Sequence, residues 1–207
     1  MLEGCHAYVV GRDEEHDYSL MQTVGTLGFT SLSKLFRKGV PRVDKTRPGL
    51  SFFLVHHQLE EQAMRSVITA VRCCDSDPVR FAPLVVFLDD GPFELVLRYV
   101  RFGFDDVIIL PERRELVASR LSGQLDREVT YFKTHDYFGP DRRRMELPPD
   151  PSEEFRNGRR SHTCYTIIRS PDKGVRILRK ETCGSGPAAA DLLAASPEAI
   201  AARGEEL

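Results

Sequence analysis

The sequence predicts a doubly wound α/β fold: a five-stranded parallel sheet of the flavodoxin-like type with helices on both faces, followed by a C-terminal arm and a β-hairpin. Two observations carry this prediction. Between residues 5 and 130, short apolar runs alternate with stretches whose apolar residues recur at three- and four-residue steps. Residues 50–55 form the most apolar run, which is typical of a central strand buried on both faces. Strands that alternate with helices require crossovers, which give a parallel sheet between two helical layers.

The first β/α unit begins with a short apolar run at residues 7–10. Gly11 bounds this run, so it is better suited to a buried strand than to a helix. Asp17 can cap the helix that follows, in which apolar residues recur at helical spacing until Gly28 ends it.

The second unit is predicted to be the least regular. A strand at residues 29–32 leads into a helix at residues 33–38, which Gly39 and Pro41 cut short. We therefore expect this second helix to be the weakest of the five.

The other three units follow the same alternation. Their strands are predicted at residues 50–55, 84–88 and 107–110, and their helices at residues 59–71, 93–100 and 116–125. In the flavodoxin-like strand order, ligand sites lie beyond the carboxyl ends of the strands.

The pattern changes after the first part of the chain, which we place at residues 5–130. Residues 131–162 are rich in Arg, Gly and Pro without strand alternation, and they predict a basic arm or linker. Residues 163–181 predict a β-hairpin whose turn contains Pro171 and Gly174, and an isolated hairpin must dock on another element to be stable. Residues 182–207, rich in Ala, Gly and Pro, predict a disordered tail.

Composition narrows the class of protein. The formal net charge is −2, but residues 133–180 carry twelve Lys/Arg against seven Asp/Glu, which marks a basic appendage on an acidic domain. The five cysteines lack the paired C-x-x-C spacing of zinc sites, so we expect reduced thiols. No run is long enough to cross a membrane and no signal peptide is evident. We expect a soluble, cytoplasmic protein with no membrane association.

Residues 103–111, Gly-Phe-Asp-Asp-Val-Ile-Ile-Leu-Pro, resemble the stretch that ends in Lys-Pro in the receiver domains of bacterial response regulators. Together with the strand spacing from residue 7 to residue 128, they make the chain similar to the CheY-like superfamily. That resemblance implies two-component signalling, in which a phosphorelay transfers a phosphoryl group to an aspartate after the third strand. It also implies Mg²⁺ at an acidic pair after the first strand, a Thr/Ser after the fourth and a Lys after the fifth. Carboxylates suit this hard cation, and cation and lysine stabilise the transferring phosphoryl group.

The chain departs from the receiver pattern at each of these positions. Gly11 and Arg12 replace the acidic pair, and Leu110 replaces the lysine. The acceptor and hydroxyl positions fall on residues of other types, namely Leu54, Val55 or His56, and Leu88 with Asp89. The resemblance therefore implies a pseudo-receiver, meaning a receiver-like domain without phosphorylation chemistry. We expect no catalytic residues, no enzyme activity, no metal and no cofactor.

Two other sets of residues at the strand ends offer alternative chemistry. Asp13, Asp89 and Asp90 could form a displaced metal site or support unconventional phosphorylation. Consecutive strand residues point to opposite faces, so we expect His56 and His57 not to share one site, with one packed and the other exposed.

The arm suggests a binding role. The sequence Tyr-Phe-Gly-Pro-Asp-Arg-Arg-Arg at residues 137–144 resembles a tail motif of stand-alone receiver-like regulators of alphaproteobacteria. Aromatic and arginine side chains are enriched at interface hot spots, which makes five residues candidates for partner binding: Tyr137, Phe138, Arg142, Arg143 and Arg144. The alternative is that the aromatic pair fastens the arm to its own domain.

The leading functional hypothesis is a non-catalytic signalling protein that binds a signalling partner, or a second copy of itself, independently of phosphorylation. The contact would involve the arm or the face formed by the fourth helix, fifth strand and fifth helix. The alternative is nucleotide or nucleic-acid binding by the basic arm, because Arg156 and Arg160 have the R-x-x-x-R spacing of PilZ domains that bind cyclic-di-GMP. One hairpin is too little for a PilZ barrel, and no helix-turn-helix follows the receiver-like part.

Overall fold

The computed structural model describes residues 2–37, 40–41, 44, 48–142 and 161–183. The elements in chain order are β1 (Cys5–Val10), α1 (Glu14–Gly25), β2 (Ser31–Lys34), β3 (Phe36–Arg37), β4 (Val40–Pro41), β5 (Leu50–His56), α2 (Glu61–Arg72), α3 (Asp77–Arg80), β6 (Leu84–Asp89), α4 (Phe93–Phe102), β7 (Asp106–Leu110), α5 (Arg114–Ser122), β8 (Glu128–Lys133), β9 (Phe138–Pro140), β10 (His162–Ser170) and β11 (Gly174–Cys183).

The predicted parallel sheet is confirmed. Its five strands lie in the order β2-β1-β5-β6-β7, and every neighbouring pair is parallel. If only the strands of this sheet are counted along the chain, the order is 2-1-3-4-5, which is the flavodoxin-like order.

Two helical layers bury the two faces of this sheet. Helices α2 and α4 pack on the face that carries Tyr8 and Val10 of β1, whereas α1 and α5 pack on the face that carries Ala7 and Val9. Side chains alternate between the faces because the strand period is two, and the apolar run of β5 supplies both cores. The continuous apolar run at residues 50–55 is thus explained by burial on both sides.

Helix α1 begins earlier than predicted. Its N-cap is Asp13, whose Oδ1 accepts a hydrogen bond from the backbone N–H of His16. The predicted cap, Asp17, lies in the first turn instead, where its Oδ1 accepts a 2.6 Å hydrogen bond from the N–H of Gly11. Asp17 therefore fixes the loop after β1 rather than the start of the helix.

The predicted second helix at residues 33–38 is wrong. Residues 31–34 form β2, which pairs with β1, and β3 and β4 form a short antiparallel ribbon after it. The described residues between β2 and β5 contain no helix. Gly39 and Pro41 leave too few residues for a helix to repay the cost of its first turn, while strand pairing with β1 satisfies the backbone. A smaller difference is α3, a single helical turn between α2 and β6 for which the sequence analysis gives no helix.

The C-terminal part forms a second, antiparallel sheet in the order β11-β10-β8-β9. The predicted hairpin is confirmed as β10 and β11, and Gly174 has the positive φ that its turn requires (68°). The prediction of a strand-free arm is wrong at Phe138–Pro140, which pairs with β8 as strand β9. The predicted domain boundary at residue 130 falls inside β8, and residues 184–207 of the predicted tail lie outside the described residues.

This second sheet is fastened to the amino end of the parallel sheet. The N–H of Leu50, at the start of β5, donates to the carbonyl of Pro171 in the hairpin turn, and the N–H of Asp126 donates to the carbonyl of Arg169. Gly49 has a φ of +86°, and a Cβ there would lie 2.3 Å from the Gly4 carbonyl oxygen and 2.9 Å from that of Pro171. The carboxyl end of the parallel sheet thus stays clear of the second sheet. No helix among the described residues is long and apolar enough to cross a membrane.

Candidate functional site

The carboxyl edge of the parallel sheet collects the residues that follow its strands. Strand β1 leads into Gly11 and Arg12, β5 ends at His56, β6 ends at Asp89, and β7 ends at Leu110. The positions at which the receiver resemblance implies phosphorylation chemistry therefore meet at one edge. Of the other predicted positions there, Leu54, Val55 and Leu88 have fully buried side chains within the two cores.

Gly11 and Arg12 do not form a cation site. A Cβ at Gly11 would lie 2.5 Å from the backbone nitrogen of Asp17, so the tight loop that holds α1 excludes any side chain there without a shift. The guanidinium of Arg12 lies at the surface, 3.6 Å from the carboxylate of Asp13. Leu110 is partly buried against the α1/α5 core. Gly11, Arg12 and Leu110 therefore supply neither a carboxylate pair nor an ammonium group at this edge.

Three imidazole rings fill the centre of this edge. The rings of His56 and His57 stack with their centroids 4.9 Å apart and an interplanar angle of 29°. The ring of His16, from α1, meets that of His56 edge-on at 5.0 Å. Asp89 Oδ2 lies 3.8 Å from both His56 Nε2 and His57 Nδ1. His56 is buried, His57 is partly buried and Asp89 is exposed.

The expectation that His56 and His57 face opposite ways is wrong. Alternation applies within a strand, and β5 ends at His56. The N–H of His57 donates to the carbonyl of Phe87, and the N–H of Leu59 then closes a turn onto the carbonyl of His56. This turn brings both rings to the same side, where they meet Asp89 from the neighbouring strand.

The ionisation of these groups follows from their surroundings. Burial lowers the pKa of His56, and the charge of Asp89 opposes that effect only in part. His56 is therefore predominantly neutral at neutral pH. At the rim of the site, the hydrogen bond between His16 Nδ1 and Asp13 Oδ1, 2.6 Å long, raises the pKa of His16 and lowers that of Asp13.

The three aspartates that the sequence offered as a displaced metal site, Asp13, Asp89 and Asp90, have different roles in the structure. Asp13 caps α1 and holds His16, and Asp90 Oδ1 accepts a hydrogen bond from the N–H of Gly91. Only Asp89 joins the histidine pair, and the candidate ligand atoms of His56, His57 and Asp89 all lie within 4.8 Å of one another. The edge thus presents a mixed imidazole and carboxylate group, which suits transition metals better than Mg²⁺. This group has a signal in the sequence. His56 and His57 directly follow one predicted strand, and Asp89 directly follows the next predicted strand of the sheet.

A second cluster of charges, at the opposite edge, escaped the sequence prediction. Asp105 precedes β7 and is buried together with Arg72 of α2 and Arg169 of β10. Its Oδ2 accepts hydrogen bonds from Arg72 Nη2 at 2.7 Å and from the N–H of Leu84 at 2.8 Å. Its Oδ1 accepts them from the hydroxyl of Tyr131 at 2.5 Å and from Arg169 Nη2 at 2.7 Å. We call these four side chains, Arg72, Asp105, Tyr131 and Arg169, the Asp105 cluster.

Both guanidinium groups have further partners. Arg169 Nε donates to the carbonyl of Phe81 at 2.8 Å and Nη1 donates to Gln124 Oε1 at 3.2 Å. Arg72 Nη1 donates to the carbonyls of Arg80 and Ala82, each at 2.9 Å. Burial acts to raise the pKa of Asp105, but the charges of Arg169 and Arg72 and the Tyr131 hydrogen bond outweigh it and bring the pKa to about 2. All four hydrogen bonds to the Asp105 carboxylate come from within the chain, and Arg169 and Tyr131 link it to the second sheet.

The described part of the arm packs against its own domain. Phe138 meets Phe81 edge-on at 5.4 Å and belongs to the apolar cluster under the second sheet. The hydroxyl of Tyr137 donates to the carbonyl of Pro140 at 2.8 Å, and burial raises its pKa to about 12. Arg142 Nη2 donates to the backbone carbonyls of Phe104 and Asp105 at 2.8 and 2.9 Å.

These contacts match the alternative reading of the arm, in which it is fastened in cis. Tyr137, Phe138 and Arg142 all make contacts within the chain, and their assignment to partner binding stays a prediction. Arg143 and Arg144 lie outside the described residues, as do Arg156 and Arg160.

Comparison with known proteins gives a structural likeness without a family assignment. No protein-family profile matches the chain, and no curated protein is similar to it. Among solved structures, the chain is similar to the signal receiver domain of a signal transduction histidine kinase from Syntrophus aciditrophicus, at 15% sequence identity and a TM-score of 0.41. That match covers 57% of this chain and 87% of the other.

Proposed function

We propose that this protein is a receiver-like signalling module that takes up no phosphoryl group and acts by binding a protein partner. The composition of the carboxyl edge supports the first part. Where the receiver pattern needs an acidic pair, an acceptor aspartate and a lysine, this edge has Gly11 with Arg12, a buried histidine and Leu110. Phosphoryl transfer in the receiver pattern depends on a Mg²⁺ ion held by an acidic pair and on a lysine for charge stabilisation, and Gly11, Arg12 and Leu110 supply neither group.

The observation that carries the second part is the distribution of exposed apolar side chains. Five large ones stand out among the described residues, and three of them lie on α4, β7 and α5: Phe93 (66% exposed), Ile109 (42%) and Leu116 (40%). Strand β7 is the edge strand of the parallel sheet, so this surface, which we call the α4-β7-α5 face, is not covered by another strand of that sheet. Exposed apolar groups on adjacent elements are typical of a protein interface.

The arm contributes indirectly to this face. Arg142 is fastened to the backbone of Phe104 and Asp105, immediately before β7, so the described part of the arm supports the edge strand from its amino end. The partner surface in this proposal is therefore the domain face and not the arm. Nucleotide or nucleic-acid binding by Arg156 and Arg160 gains no support from the described residues.

Site-specific photocrosslinking tests the proposal. A photoreactive residue at Ile109 should crosslink a defined partner, or a second copy of the chain, whereas the same residue at exposed Tyr18 on α1 should not. Leu116→Glu should abolish the Ile109 crosslink by placing a charge in an apolar contact. Equal crosslinking from both positions would refute the assignment of the face.

Phosphorylation is tested separately. Incubation with acetyl phosphate and Mg²⁺ should leave the intact mass unchanged. A stoichiometric phosphoryl adduct that disappears in the Asp13→Asn/Asp89→Asn/Asp90→Asn variant would show instead that the chain is an unconventional phosphoacceptor.

A further inference from the structure

We propose that His56, His57 and Asp89 form a binding site for one divalent transition-metal ion of the Zn²⁺ type. The site lies at the carboxyl edge, beyond the ends of the neighbouring strands β5 and β6. The inference goes beyond the proposed function and does not depend on partner binding at the α4-β7-α5 face.

The distances are those of a site that closes on its ion by small movements. Asp89 Oδ2 lies 3.8 Å from His56 Nε2 and from His57 Nδ1, and all three candidate ligand atoms lie within 4.8 Å. Zinc–ligand bonds of about 2.0–2.2 Å place tetrahedral ligands roughly 3.4 Å apart. The two contacts of Asp89 must therefore shorten by about 0.4 Å, and the two imidazole nitrogens, which lie within 4.8 Å of each other, must also come to this separation. The carboxylate is the part that can move, because its side chain is 54% exposed.

The ring nitrogens are held only weakly by their present partners. The N–H of Asp89 approaches His57 Nδ1 at 3.4 Å, and the N–H of Gln58 approaches His56 Nδ1 at 3.3 Å. Both distances are at the long end for hydrogen bonds, so little is lost when a metal replaces them. Binding at Nε2 of His56 leaves its ring proton on Nδ1 and releases the Gln58 contact. Binding at Nδ1 of His57 uses the lone pair that now faces the N–H of Asp89.

The chemistry of the ligands selects the ion. Two imidazoles and one carboxylate suit Zn²⁺, Co²⁺, Ni²⁺ or Cu²⁺, whereas Mg²⁺ and Ca²⁺ prefer oxygen ligands in larger number. Three protein ligands leave at least one coordination position open, as in metal sites that accept water or an external group. The carboxylates of Asp13 and Asp90 add negative charge near this edge. The ring of His16 packs against that of His56, and a hydrogen bond to Asp13 holds His16 in place.

Cobalt binding by the full chain provides the test. Co²⁺ in a site of nitrogen and oxygen ligands should give saturable visible absorption at one ion per chain, and Zn²⁺ should displace it. His57→Gln and Asp89→Asn should each weaken the affinity by about tenfold or more. His135→Gln, which removes an exposed imidazole elsewhere, should leave it unchanged. Circular dichroism checks that each variant folds.

The five free cysteines supply the competing explanation. Binding that survives His57→Gln and Asp89→Asn, or that shows the near-ultraviolet charge-transfer bands of cobalt thiolates, would overturn the proposal. So would the lack of saturable binding. Nitrogen NMR of the imidazoles gives an independent readout, because Zn²⁺ should shift the Nε2 resonance of His56 and the Nδ1 resonance of His57.

Discussion

The two edges of the parallel sheet carry charged clusters of opposite character. At the amino edge, each carboxylate oxygen of Asp105 accepts two hydrogen bonds of 2.5–2.8 Å, and the cluster is buried. At the carboxyl edge, Asp89 stands 3.8 Å from two imidazoles and is exposed. A carboxylate that accepts four short hydrogen bonds stabilises the structure and has no acceptor position left for a ligand, whereas a loosely paired carboxylate at an open edge can still bind one.

The Asp105 cluster also links the second sheet to the parallel sheet. Burying charges is costly unless each is paired and hydrogen-bonded, and removing one partner leaves the others uncompensated. Asp105 sits between Arg72 from the helical layer and Arg169 from the second sheet. One carboxylate thus balances cations from both parts of the molecule.

The largest expected effect is that of Asp105→Asn. It removes the carboxylate that pairs with two buried guanidinium groups, so the free energy of unfolding should fall by about 3–5 kcal/mol. Urea unfolding followed by circular dichroism measures the loss. The adjacent Asp106→Asn, which breaks a more exposed pair with Arg120, should cost at most about 1 kcal/mol. Equal losses in the two variants would mean that the buried cluster has no special weight.

A smaller loss is expected for Tyr131→Phe. The substitution keeps the ring in its apolar cluster but removes the hydroxyl that donates to Asp105, and a hydrogen bond to a charged group contributes about 1.5–3 kcal/mol. The same urea experiment measures it, with Tyr18→Phe on the exposed surface as the control. A loss no greater than that of the control would contradict the assigned role of the hydroxyl.

Acid should weaken the amino edge selectively. The pKa of Asp105 is about 2 in the folded protein and about 3.9 in an unfolded chain. Because the folded value is the lower one, the carboxylate stabilises the fold above pH 4, and this stabilisation is lost as the pH falls from about 4 to about 2. Urea midpoints should decline over that window, and less steeply in Asp105→Asn. Parallel declines in both proteins would assign the acid sensitivity to other carboxylates.

The smallest effect is expected at the carboxyl edge. His57→Gln should change the free energy of unfolding by less than about 0.5 kcal/mol, because the imidazole is partly exposed and its contacts are long. The measurement is urea unfolding without added metal. A loss above about 1 kcal/mol would indicate that the stacked histidines are a packing element, which would remove the contrast between the two edges.

Local patterns in the sequence predicted the parallel sheet and the hairpin, because alternation and helical spacing report burial within each element. They were wrong at residues 33–38, where pairing with β1 overrides a short helical tendency. They also failed at His57. The expected alternation of side chains treated His57 as a strand residue, whereas β5 ends at His56.

The Asp105 cluster could not be predicted from local sequence patterns. Its members are separated along the chain, with 33 residues from Arg72 to Asp105 and 64 from Asp105 to Arg169. No local spacing reports such a contact. The one trace in the sequence is that Arg169 shares the strand phase of buried Tyr165 and Ile167, which marks its position as inward-facing.

The separation of Asp105 from Arg169 also bears on how the protein is made. A ribosome that has just added Asp105 has already supplied Arg72, but it must add a further 64 residues before the second cation can reach the same carboxylate. Until then the amino ends of the strands stay exposed to solvent, because the second sheet does not yet cover them. The time during which this edge is uncovered therefore depends on the rate of translation over these residues.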